Sequence, residues 1–119
     1  MRSIIAGLML VTPVSFAEAD EIGNELRNAD HALNSSFKEV EKRLASDTGA
    51  KNRLVHAQQA WIAFRDAECV FRSGGEDGGS VAPTVVAACK TVLTKERTQQ
   101  LERYLSCEEG DLSCPVPAN

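Results

Sequence analysis

The chain has 119 residues, a length that suits one domain. Its apolar content of 43% and charged content of 25% are those of an ordinary globular protein, and with 5% aromatic residues the core must be mostly aliphatic. The formal net charge is −4 and no run of Lys and Arg occurs, which argues against a nucleic-acid binder.

Residues 1–17 read as a secretory signal peptide. Arg2 supplies the positive start, Ile4 to Val11 the apolar run, and Ser15-Phe16-Ala17 the small residues before a cut after Ala17. The run is too short to span a bilayer. Cleavage there removes Arg2, makes the charge one unit more negative and leaves 18–119 as a single helical domain. The product is then periplasmic or secreted, with no integral membrane segment.

From Ile22 the apolar residues Ile22, Leu26, Ala29, Leu33, Phe37, Val40 and Leu44 recur three or four apart, predicting one long amphipathic helix. Asp30 and Asn34 lie beside that stripe. Ser46-Asp47-Thr48-Gly49 breaks it, and so short a connection implies an antiparallel return. The second helix is predicted from about Ala50 to Arg72, with Leu54, Ala57, Trp61, Phe64 and Phe71 on a broad buried face. Arg65 and Glu68 fall on that same face, where a charge is costly unless paired. Arg65 either snorkels over the Trp61 ring or meets a carboxylate from another helix. Asp30 and Arg65 are nearly equidistant from the turn, so they are expected to pair, with Asn34 or Glu68 completing the hydrogen bonds.

Ser73 to Ser80 carries four glycines in eight residues and is expected to be a non-helical loop. Glu76 and Asp77 would repel a phosphate, so the loop is no nucleotide cradle. It is either a connector or a partner-binding tip, formed by Gly74, Gly75, Glu76, Asp77, Gly78, Gly79 and Ser80. Pro83 suits the first turn of a third helix. Thr94 reads as an N-cap, predicting a break near Leu93-Thr94 and hence a third or fourth helix carrying Leu101, Tyr104 and Leu105. The tail beyond Cys107 is expected to be irregular.

An even number of cysteines in an exported chain reads as disulfides. Of the three possible pairings, Cys69–Cys89 across the glycine loop and Cys107–Cys114 around a small loop are preferred. The spacings are not those of a metal site, and neither His31 nor His56 adjoins a cysteine. No cofactor or metal is expected. The fold class is therefore all-α: a small antiparallel bundle of three to four helices with disulfides.

The motifs A-D-x-x-L-N (Ala29 to Asn34), A-Q-x-A-W-I-x-F-R-D-A-x-C (Ala57 to Cys69), G-G-S (Gly78 to Ser80), Cys89 and L-T-x-x-R-x-x-x-L (Leu93 to Leu101) together resemble the LprI-type lysozyme-inhibitor domain family. The resemblance spans about Leu26 to Leu105. It implies an exported, helical, disulfide-linked domain and, for the namesake, inhibition of lysozyme. The chain departs from the pattern in having no lipoprotein cysteine and no additional cysteines at the start of the domain. No serine motif flanks either histidine and no carboxylate pair is singled out, so a binding protein is expected rather than an enzyme. The partner is then a lysozyme or other muramidase. The alternative is a structural or adaptor module of the bacterial envelope with no hydrolase target.

Overall fold

The computed structural model describes residues 16–118. Nearly all of the predicted leader, 1–17, therefore lies outside the described residues. Among them are three long helices and no strand: α1 (Phe16–Arg43), α2 (Thr48–Ser73) and α3 (Ala82–Leu105). A 3₁₀ segment, Gly75–Val81, joins α2 to α3. The all-α bundle inferred from periodicity is the observed architecture.

Each boundary has a local cause. The Asp47 side chain accepts a hydrogen bond from the Ala50 amide at 2.9 Å and caps α2. Gly49 thus lies inside the first turn of α2 rather than ending α1. Gly74 closes α2 in the left-handed region (φ 80°), its N–H directed at the carbonyls of Val70 and Phe71. The stretch Ser73 to Ser80 is more helical than its glycines suggested: within the 3₁₀ segment Gly75 and Gly79 take positive φ (56° and 67°), and the residues between them wind as a helix. Gly78 is needed for space: a Cβ there would sit 2.2 Å from the Ser73 carbonyl oxygen.

α3 is the hub. It packs along both α1 and α2, whereas those two approach each other mainly through long side chains. Arg43 near the end of α1 donates to the Leu105 carbonyl at the end of α3, so α1 and α3 run in the same direction and α2 runs against them. The structure stacks three layers along this axis. At one end Leu33, Val40, Leu44, Leu101 and Val116 form the apolar core, with Phe37, Leu54, Trp61 and Tyr104 against it. The middle layer is polar and buried: Gln58, Thr94, Arg97 and Thr98. The far end is pinned by Cys69–Cys89 (Cα–Cα 5.6 Å), and Cys107–Cys114 folds the irregular tail back so that Val116 reaches the core.

Two expectations are corrected here. α3 runs unbroken through Leu93-Thr94. Thr94 is fully buried and its hydroxyl accepts from Arg65 rather than capping a helix. The Phe64 and Phe71 side chains, expected in the core, are 56% and 80% exposed. The face of α2 that packs is the one carrying Gln58, Arg65 and Cys69, because those groups have partners on α3.

Candidate functional site

In the middle layer α2 turns charged and polar side chains inward. The Arg65 side chain, 12% exposed, places its Nη1 3.4 Å from Asp30 of α1 and 3.2 Å from the Thr94 hydroxyl of α3. Its Nε donates to the neighbouring Asp66 at 2.9 Å, and its guanidinium lies 5.3 Å from the centre of the Trp61 ring. Both readings of Arg65 therefore hold at once: it covers Trp61 and it meets Asp30. The groups completing its bonds are Asp66 and Thr94, not Asn34 or Glu68. Glu68 instead accepts from Arg72, one turn further along α2. Burial pushes the Asp66 carboxyl up, but the Arg65 hydrogen bond and charge, joined by Lys90 at 3.5 Å, outweigh it and hold Asp66 below the usual carboxylate range. This network ties the three helices together.

The outward face of α2 is the inverse. Ala57, Ala60, Ala63, Phe64, Ala67, Val70 and Phe71 are all exposed, and of the charges among them in sequence Arg65 turns inward while Asp66 and Glu68 pair with Arg65 and Arg72. Helices usually present charge to solvent and bury such residues. The spacing of Ala57, Ala60, Phe64, Ala67 and Phe71, three and four apart, was available in the sequence as a stripe of its own. An exposed apolar face of this kind marks an interaction surface.

That face runs into the tip. Gly74 to Ser80 sit at the end of the α2–α3 pair, with Glu76, Asp77, Gly79 and Ser80 exposed. Neither acidic side chain has an ion-pair partner among the described residues. Phe71 stands one helical turn from the start of the loop. Cys69–Cys89 clamps the two helices just behind it. The structure thus brings Gly74 to Ser80 and Phe71 to one end. Asp30, Trp61 and Arg65 lie together in the middle, and Cys107–Cys114 at the other end. Among the described residues no three His, Cys, Asp or Glu side chains are placed to hold a metal ion.

Comparison with known proteins bears on this arrangement. The family model described as lysozyme inhibitor LprI matches residues 16–101. The chain belongs to the LprI family. The LprI match takes in all of α1, α2 and the tip, and most of α3. Among curated proteins, one from Rhizobium meliloti is 33% identical over 90 residues, covering 76% of this chain and 65% of that protein. The protein YecT of Escherichia coli is 33% identical over 67 residues, covering 53% of this chain and 41% of YecT. Both are described as uncharacterised. The chain spans less than two thirds of the length of either relative. No solved structure matches it. No helix among the described residues is long and apolar enough to cross a membrane.

Proposed function

We propose that this LprI-family protein is exported by a cleaved leader, residues 1–17, acts in the periplasm or outside the cell, and inhibits a lysozyme-type muramidase by binding it, without bond-making chemistry of its own. The contact is the tip, Gly74 to Ser80, with Phe71 beside it. The observation that carries this reading is a presented surface: two carboxylates, Glu76 and Asp77, without an ion-pair partner among the described residues, on a loop held by Cys69–Cys89, and an 80% exposed phenylalanine in the last turn of α2 beside it. Acidic groups on a rigid tip suit a basic enzyme, where opposite charge speeds encounter and an aromatic anchor supplies buried area. The exposed apolar residues of α2 continue the surface away from the tip.

The test is a muramidase inhibition assay with the oxidised protein and the double variant Glu76→Lys/Asp77→Lys. Inhibition should weaken at least tenfold and become less salt-sensitive, with an unchanged melting temperature because both side chains are exposed. Equal inhibition by the variant removes the tip as the charged contact. No inhibition by the wild-type protein of any muramidase tried leaves the envelope-adaptor reading in its place.

A further inference from the structure

At the end of the bundle opposite the tip, a cavity of about 360 Å³ opens between the α1–α2 turn, α3 and the returning tail. Leu44, Leu54, Pro115 and Val116 form apolar walls, and Arg53, Arg97 and Tyr104 also line it. Arg97 is unusual: it is 8% exposed, yet it meets no carboxylate among the described residues. Its Nε donates to the Gln58 side-chain carbonyl at 2.9 Å and its Nη1 to that of Gln100 at 3.0 Å. Both acceptors are neutral, so they orient the guanidinium without cancelling its charge. Its Nη2 has no acceptor among the described residues, and no fully buried side-chain nitrogen or oxygen there lacks a partner. Nη2 is therefore not fully buried, and Arg97 lines the cavity. The Tyr104 hydroxyl and the Arg53 guanidinium likewise have no partner. The carboxylate among the lining residues is that of Asp47, whose Oδ1 already receives the Ala50 amide.

A buried cation without a counter-ion is costly. An apolar cavity with a few converging polar groups is the usual form of a small-molecule site. Here three residues that carry hydrogen-bond donors, two of them cationic, line the same cavity as the aliphatic side chains. We infer that this cavity binds a small amphiphile with one carboxylate, whose anionic head meets Arg97, Tyr104 and Arg53 and whose apolar body lies on Leu54 and Val116. A fatty acid and the C-terminus of an apolar peptide share that chemistry. The site is independent of the tip, and its occupation does not require that the protein inhibit anything.

The experiment is a chemical-shift titration of the oxidised full chain with sodium octanoate, N-acetyl-leucine and 1-octanol. Saturable shifts of the Leu54 and Val116 methyls and the Tyr104 ring with either anion, but not with octanol, are expected; the tighter anion identifies the source. Arg97→Met should weaken binding at least tenfold. Tyr104→Phe and Arg53→Gln, which leave the buried layer intact, should each weaken it about threefold and serve if Arg97→Met does not fold. Octanol binding as well as octanoate, or variants binding octanoate as the wild type does, would overturn the assignment. So would the absence of saturable shifts with both anions.

Discussion

Truncating Arg65 to alanine removes several interactions of different worth. The guanidinium is largely buried, but both of its carboxylate partners are nearly half exposed, at 46% and 45% for Asp30 and Asp66. Each pair should therefore behave as a screened one, worth about 0–1 kcal/mol. Asp66 keeps Lys90 after the change, so it is not stranded. Loss of the contact with Trp61 costs about 0.5–1 kcal/mol, and leaving the fully buried Thr94 hydroxyl without its donor about 1 kcal/mol more. The sum for Arg65→Ala is about 1.5–4 kcal/mol, while Asp30→Ala should cost only about 0.5 kcal/mol. In a double-mutant cycle the Arg65–Asp30 coupling should come out near 0.5 kcal/mol. Urea denaturation, with m-values compared to exclude a change in the denatured state, measures all three. An Arg65→Ala protein within 0.5 kcal/mol of wild type would show that the network is solvated. A coupling above about 2 kcal/mol would show instead that the pair is effectively buried, against the exposure of Asp30.

Two further outcomes follow from the same structure. Replacing both Cys69 and Cys89 by alanine, which opens a loop with a sequence separation of 20, should lower stability by about 3 kcal/mol in urea denaturation; a loss under 1 kcal/mol would mean that helix packing alone holds the tip. Asp66 has a lowered folded-state pKa, so its contribution is present above about pH 4, the unfolded value, and is lost as pH falls through the lower folded value. Wild-type stability should therefore drop more than that of Asp66→Asn between pH 4 and pH 2, by no more than about 1 kcal/mol for so exposed a carboxylate, and parallel curves would show no such linkage.

Much of this fold is legible in the chain. The spacing from Ile22 to Leu44 specifies α1, and Asp30 and Arg65 can be placed opposite each other by counting from the turn. The cysteines pair as the two loops between them suggest. What the sequence hides is which face of α2 is covered. Periodicity shows an apolar stripe through Phe64 and Phe71, but a stripe does not say whether a neighbour sits on it. α3 docks on the other side, where Cys69 bonds and Gln58 and Arg65 find acceptors or donors. Thr94 misleads for a related reason: a threonine in helical sequence reads as a cap, while its value here is a hydroxyl small enough to be buried beside Arg65. Arg97 stands in a quoted motif, yet a charged residue on a helix reads as solvated, and only the packed structure shows it enclosed without a carboxylate. The tip residues Gly74 to Ser80 are recognisable as a loop from composition, but that the chain winds as a 3₁₀ helix between the positive-φ residues Gly75 and Gly79 is not.

The hub role of α3 sets the order in which the molecule can assemble. α2 and α3 are joined by one short turn and held by a disulfide, so their pairing closes a small loop. α1 must wait: its contacts with α3 span separations such as the 62 residues between Arg43 and Leu105. Chains are made from the N-terminus, so α1 emerges first and its principal partner last. Until α3 is made, the stripe from Ile22 to Leu44 has only Ala50, Leu54 and Trp61 of α2 to cover part of it. On refolding, pulsed hydrogen exchange should find the α2–α3 amides protected before those of α1, and simultaneous protection would mean that the three helices condense together. The helix most easily read from the sequence is then the one that depends most on the rest of the chain.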